Sequence, residues 1–160
     1  MIKSKIKTLP ALTKIIARLK IAKQKIVFTN GCFDIIHRGH VNYLQTAKKK
    51  GDILVVAINS DASIKRIKGS SRPINPQLDR SEIIAALESV DYITIFNQST
   101  PLEVIKKIKP DVLVKGADWK ASDIVGADIL KQYGGKIARE KFLDGYSTTK
   151  LIEKIAKAKS

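Results

Sequence analysis

Six consecutive apolar residues, Ile53, Leu54, Val55, Val56, Ala57 and Ile58, stand between Gly51-Asp52 and Asn59-Ser60-Asp61. A strand with one wet face alternates apolar and polar side chains. An unbroken apolar run this short is what a strand covered on both faces requires. Parallel strands are covered in this way because their connecting helices lie on both sides of the sheet. The run predicts an α/β fold, and the rest of the chain agrees. Further strands are expected at 25–29, 92–96, 111–114 and 136–139, and helices at 40–50, 80–88, 101–108, 123–133 and 148–158. Short connections between alternating elements imply a doubly wound, mostly parallel five-stranded sheet with helices on both faces. Ligands of such sheets bind outside the C-terminal strand ends, where the strand order reverses.

The 160 residues suit one domain with a real core. No apolar run approaches the roughly 18 residues of a membrane span, and the N-terminus lacks an apolar stretch with a small-residue cleavage site. The single cysteine has no internal partner, so the cytoplasm is the expected compartment. The formal charge of +15 attracts anions. Charge alone carries no base readout, and no recognition motif accompanies it, so no specific nucleic-acid partner is expected. Phosphorylated small molecules fit better. Residues 1–24 are basic, yet Leu9, Leu12, Ile15, Ile16 and Leu19 recur there at helical spacing. They are expected to form a helical segment packed on the domain of residues 25–160.

The loop after the first strand reads Asn30-Gly31-Cys32-Phe33-Asp34-Ile35-Ile36-His37-Arg38-Gly39-His40 and holds both histidines of the chain. A helix beginning here offers unpaired N–H groups to a phosphate. Gly31 and Gly39 let backbone approach it. His37 and His40 can donate to phosphate oxygens as charge develops. A metal is set aside, because Asp34 is the one further ligand in reach and no second cysteine exists. Neither the dinucleotide fingerprint nor a Walker loop is present. Cys32 reads as a small buried spacer.

Other clusters follow the other strands. Asn59 and Asp61 end the second strand, and Lys65, Arg66 and Lys68 run into Gly69. That stretch is either a mobile loop closing cations over phosphates, with Lys68 first among them, or a solvated basic helix. Arg72 and Arg80 each offer a planar fork to phosphate, or form ion pairs with Asp79 or Glu82. Lys115, Gly116, Asp118 and the lone Trp119 follow the fourth strand. Tyr146, Ser147, Thr148 and Thr149 open the last helix, where Ser147 or Thr148 suits the N-cap.

The run from Gly31 to Leu44 resembles the signature of the cytidylyltransferase-like nucleotidyltransferases. AINSDASIKRIKG, RPIN, VDYI, PDVLVKGADW and YSTTKLIEKI extend the likeness over nearly the whole chain. In order and spacing they are similar to the branch that adenylylates D-glycero-β-D-manno-heptose 1-phosphate. The resemblance implies a Rossmann-like fold, ATP as substrate, Mg2+, and transfer of AMP to the sugar phosphate with release of pyrophosphate. It implies a form without the kinase half found fused in many bacteria, and a homodimer as one possible assembly. It places His37, His40 and Lys68 in catalysis. It lines the nucleotide and phosphate pocket with Asn30, Gly31, Cys32, Phe33, Gly39, Lys115, Gly116, Asp118, Trp119, Tyr146, Ser147, Thr148 and Thr149. Asp34, Asn59, Asp61, Lys65, Arg72 and Arg80 would contact acceptor or phosphate. Within the same superfamily, glycerol 3-phosphate, phosphoethanolamine and FMN are the alternative acceptors, and CTP the alternative donor. A non-catalytic nucleotide- or nucleic-acid-binding protein is the alternative of another class.

Overall fold

The computed structural model describes residues 2–120, 123–141, 143 and 145–158. Five strands, β1 (Ile26–Gly31), β2 (Ile53–Asn59), β3 (Tyr92–Phe96), β4 (Val112–Gly116) and β5 (Lys136–Glu140), form one sheet in the order β3-β2-β1-β4-β5. Every pairing is parallel. The helices are α1 (Leu9–Ile21), α2 (Arg38–Lys48), α3 (Asp61–Lys68), α4 (Gln77–Ala85), α5 (Leu102–Ile108), α6 (Ala127–Gln132) and α7 (Thr148–Lys157).

Alternation along β1 divides the core. Ile26 and Phe28 join Leu12 and Ile16 of α1, Val104 and Ile105 of α5, and Leu130 of α6 on one face. Val27 points the other way, toward Tyr43, Leu44 and Ala47 of α2 and Ile84 of α4. The Ile53–Ile58 run is covered on both faces for this reason, with Leu54 to Ile58 fully buried.

The basic N-terminal segment is part of this packing. Leu12 has no exposed surface and Ile16 is buried beside it. Just before α1, Ile6 bridges Ile93 and the Lys7 N–H donates to the Ile93 carbonyl at 2.8 Å, which covers the open edge of β3. Unpaired edges invite pairing with other chains, so this strap satisfies backbone that would otherwise be exposed. Leu12→Ala is expected to cost about 2–5 kcal/mol, the range for emptying a fully buried leucine site. Urea unfolding checks it, and a loss under 1 kcal/mol would mean that α1 is not integral to the core.

Two of the boundaries that differ from the sequence reading bear on the site. α4 begins at Gln77 rather than residue 80, so Arg80 lies one turn inside the helix, where its side chain reaches the interior. The expected helix from 123 becomes α6 from Ala127. Gly126 takes φ 91° just before it, a left-handed conformation that halts a right-handed helix. A Cβ there would lie 2.9 Å from Ile105, so the position is closed to larger residues. Residues 121–122 lie outside the described residues. The stretch with Lys65, Arg66 and Lys68 is helix α3, the basic-helix alternative rather than the mobile loop. Ser60 caps it by accepting from the Ser63 N–H at 3.1 Å, and it ends at Gly69 with φ 93°. Asp61 in its first turn complements the helix dipole.

Candidate active site

A cavity of about 450 Å3 opens where β1, β2 and β4 end. Asn30 and Gly31 from β1, Asn59 from β2, and Lys115 and Gly116 from β4 line it. The order β3-β2-β1-β4-β5 reverses between β1 and β4, so the cavity sits at the switch point that the sheet's winding creates.

The loop after β1 forms one wall. Phe33 adopts φ 46°, unusual for a residue with a side chain, and its ring lies against Gly31. A Cβ on residue 31 would come within 2.9 Å of that ring. Phe33 in turn meets His40 edge-on, with ring centroids 5.3 Å apart. His37 is the N-cap of α2 and makes no side-chain capping bond. Its ring stacks on His40 at 3.9 Å and 24°, and lies 6.2 Å from the ring of Tyr146. Gly39 makes this possible. A Cβ there would meet His37 at 3.0 Å and the Tyr146 Cβ at 3.1 Å. The histidine loop and the entry to α7 are thus brought together over the first turn of α2.

Two stacked imidazoles next to cations cannot both be charged cheaply. Burial pushes the His40 pKa down to about 4, and His37 and Lys68 push in the same direction. Burial also lowers His37. Both rings are neutral near pH 7, and the Nδ1 atom of each is buried with no hydrogen-bond partner among the described residues. Buried polar atoms are seldom left so. A pH dependence of stability follows. The unfolded chain protonates His40 near the ordinary histidine value of about 6.5, whereas the folded chain does so near 4. Between these values the unfolded state binds more protons, so stability rises with pH across that window. The urea midpoint is expected to climb from about pH 4 to 6.5 and to climb less in His40→Asn. An identical climb in both proteins would remove His40 as its cause.

Asp34 organises the opposite rim. Its side chain is 1% exposed and pairs with Arg72 Nε at 2.6 Å. It accepts from the backbone N–H of Ile74 and Asn75 at 2.9 Å each, and Asn75 Nδ2 donates to its carbonyl. Burial alone would raise its pKa, but the Asn75 and Ile74 N–H groups and the Arg72 guanidinium outweigh it and hold the carboxyl below its ordinary range. Asp34 and Arg72 line the cavity bound to each other, which fastens the 72–75 loop to the β1 loop.

Arg80 has no exposed surface. Its guanidinium donates to the carbonyls of Asn75 (3.0 Å), Cys32 (2.5 Å) and Asn59 (2.8 Å), and to the Asp61 carboxylate at 2.8 Å. The expectation that Arg80 and Asp61 contact phosphate or acceptor is corrected by this geometry. They hold each other, and Arg80 clamps three loops of the rim from below. The ion-pair alternative held, with Asp61 as partner rather than Asp79 or Glu82.

The remaining expectations divide by position. Cys32, Phe33, Asp34, His40, Lys68, Arg72, Asp118, Trp119 and Thr148 line the cavity together with the strand-end residues. Lys65 is exposed and outside its lining, and Arg66 instead donates to the Asn97 carbonyl. Ser147 is the α7 N-cap, accepting from the Lys150 N–H at 3.1 Å, and Thr149 is exposed beside it. Cys32 is indeed partly buried, and burial raises its thiol pKa. Asn59 donates to Ser63 Oγ at 2.9 Å. Sequence reasoning missed Ser99, Thr100 and Pro101, which follow β3 and complete the wall, and Ile67 and Val125; Tyr43 lines the cavity as well. The first three carried a signal, a Ser-Thr-Pro run beyond a strand end. Tyr43 is bonded to Thr29 Oγ1 at 2.9 Å.

Among the described residues no three His, Cys, Asp or Glu side chains form a metal cluster. No helix among the described residues is long and apolar enough to cross a membrane.

Residues 28–154 match the family model described as cytidylyltransferase-like. The chain is 50% identical over 155 residues to the bifunctional protein HldE of Geobacter metallireducens, covering 97% of this chain and 32% of that one. It is 55% identical over 132 residues to the HldE of Nitratiruptor sp., covering 82% and 28%. The chain thus spans about a third of the length of the curated relatives it matches. A lipopolysaccharide core biosynthesis protein from Thermoplasma volcanium superposes with a TM-score of 0.63 at 32% identity, covering 76% of this chain and 99% of that one. Pantoate-beta-alanine ligase from Francisella tularensis shares the fold at a TM-score of 0.61 and 20% identity, covering 85% and 66%.

Proposed function

This chain belongs to the cytidylyltransferase-like family of nucleotidyltransferases, and on that premise we propose that it transfers AMP from ATP to D-glycero-β-D-manno-heptose 1-phosphate, releasing pyrophosphate. The observation that carries the reading is the pair of stacked, neutral histidines at an uncapped helix start, of which His40 lines the cavity together with Lys68 and Lys115. The acceptor rests on the stretches VKGADW and YSTT and on the near-50% identity to HldE.

In this reading the triphosphate lies against the first turn of α2, whose dipole and N–H groups favour anions. An ionised sugar phosphate needs no strong base to attack the α-phosphorus in line. Catalysis is then positioning and charge stabilisation. Neutral His37 and His40 donate to the oxygens on which charge builds. Lys68 closes on the leaving pyrophosphate from the end of α3. Asp118, exposed at the cavity mouth, accepts from the ribose hydroxyls. A magnesium ion, held mainly by the phosphates themselves, would supply neutralisation of the leaving pyrophosphate.

The test is pyrophosphate release with ATP and with CTP against heptose 1-phosphate in both anomers, glycerol 3-phosphate, phosphoethanolamine and FMN, with products identified by mass. ADP-heptose from ATP and the β-anomer is the expected product. Turnover of another pair instead would keep the chemistry and replace the acceptor.

A further inference from the structure

β1 and β4 pair only as far as Phe28 and Leu113, although both strands run three residues further. Beyond that point the backbones part and side chains span the gap. Thr29 Oγ1 donates to the Val114 carbonyl at 3.1 Å, and Lys115 Nζ donates to Asn30 Oδ1 at 2.5 Å. The gap is the switch point itself. Lys115 is therefore a partly buried ammonium that crosses the crevice in the lining of the cavity.

Its surroundings leave the charge uncompensated. Among the described residues its one hydrogen-bond partner is a neutral amide, and no carboxylate lies within ion-pair distance. Its Nζ lies 5.7 Å from the centroid of the Trp119 ring. Burial lowers its pKa to about 8, against the opposing pull of Asp118 and Cys32. A buried cation without a counter-ion is costly, and the arrival of an anion removes that cost. A neutral base would not. An ammonium suits a phosphate oxygen as a point charge.

The cavity decides which phosphate. His40 and Lys68 approach from α2 and α3, on the β2 side of β1, and take the pyrophosphate end in the reading above. Asp118 and Trp119 follow β4 and take the nucleoside end. Lys115 joins the two sides, where the α-phosphorus must lie. We propose that Lys115, held by Asn30 across the β1–β4 crevice, is a catalytic residue that binds the transferring α-phosphoryl group; this rests on the nucleotidyltransferase reading.

The proposal has a pH signature. The titratable and charged groups around Lys115 are Asp118 on its own loop, Cys32 after β1, His40 and Tyr43 on α2, Glu140 ending β5, and the cations Lys68 and Arg72. His40 ionises far below pH 8, and burial pushes the Cys32 and Tyr43 pKa values upward. The Lys115 ammonium is thus the group expected to discharge first as pH rises. For the free enzyme, kcat/KM for ATP should fall above about pH 8, while kcat holds to higher pH because bound phosphate keeps Lys115 charged.

The experiment compares the full chain with Lys115→Arg and Lys115→Gln from pH 6 to 10, with folding verified by urea titration. Turnover is read as pyrophosphate release, and ATP binding as the emission of Trp119, the single tryptophan of the chain. Lys115→Gln is expected to lose about 10²-fold in kcat at pH 7, on the scale of one lost oxyanion donor, and to lack the alkaline limb. Lys115→Arg should carry the limb to higher pH. A folded Lys115→Gln within threefold of the parent, or with the limb intact, overturns the proposal and leaves the function standing. Absence of turnover in the parent with every acceptor would instead overturn the function. The Trp119 titration then decides Lys115 alone, as weakened ATP binding in Lys115→Gln supports it and unchanged binding overturns it.

Discussion

His40→Ala is expected to lower kcat by about 10²-fold or more at pH 7.5, the scale of losing one preorganised donor to a developing charge. The argument is geometric. His40 is held by the His37 ring at 3.9 Å and by the Phe33 ring, met edge-on, at 5.3 Å. Nothing in the fold requires an imidazole there, since its Nδ1 has no partner among the described residues. A group whose Nδ1 makes no bond for the fold, yet whose ring is fixed by two neighbours, is placed for something that enters. The loss should therefore fall on kcat, with the urea midpoint little changed and KM for ATP moving less. Initial-rate kinetics separates the two. A folded His40→Ala protein with a parental kcat would take the histidine pair out of the chemistry.

Arg80→Met is expected to be the most damaging single change to the fold. Three backbone carbonyls and one carboxylate depend on this guanidinium. Methionine fills much of the volume and returns none of the bonds. Each stranded buried acceptor costs about 1–3 kcal/mol, and breaking a buried ion pair from one side costs about 3–5 kcal/mol. These costs overlap, and Asp61 is partly exposed and can be rehydrated. A loss of about 3–5 kcal/mol is expected, against a total stability of order 5–15 kcal/mol for a domain. Because the carbonyls belong to Cys32, Asn59 and Asn75, activity should fall even where the variant remains folded. Arg80→Lys should recover little of either, since one ammonium cannot serve four acceptors in a plane. A loss below 1 kcal/mol by urea unfolding would contradict the clamp.

Arg80 also shows where sequence reading stops. Its residue type and its nearness to Arg72 suggested a phosphate fork, and a helix start at 80 would have presented it outward. A start at Gln77 turns it inward, and helix ends are what local patterns resolve least well. The strands were legible because burial on both faces leaves an unmistakable apolar run, as at Ile53–Ile58. The histidine loop was legible because two histidines and a glycine at a strand-to-helix turn have few structural uses. α3 was harder. Its lysines mask a helix whose buried face is little more than Ser63 and Ile64. The Lys115–Asn30 bond was not legible at all, because it arises from two strands 85 residues apart losing their register. The Ser99–Pro101 wall was missed for a similar reason, since polar loop residues acquire meaning only from what faces them.

The most direct test of the central claim is 31P NMR of the folded chain with ATP, Mg2+ and D-glycero-β-D-manno-heptose 1-phosphate. Nucleotidyl transfer predicts loss of the three ATP resonances, growth of free pyrophosphate, and a new coupled pair from a nucleotide-sugar diphosphate. Growth of ADP with orthophosphate or a phosphorylated sugar would show attack at the γ-phosphorus, and would contradict the account.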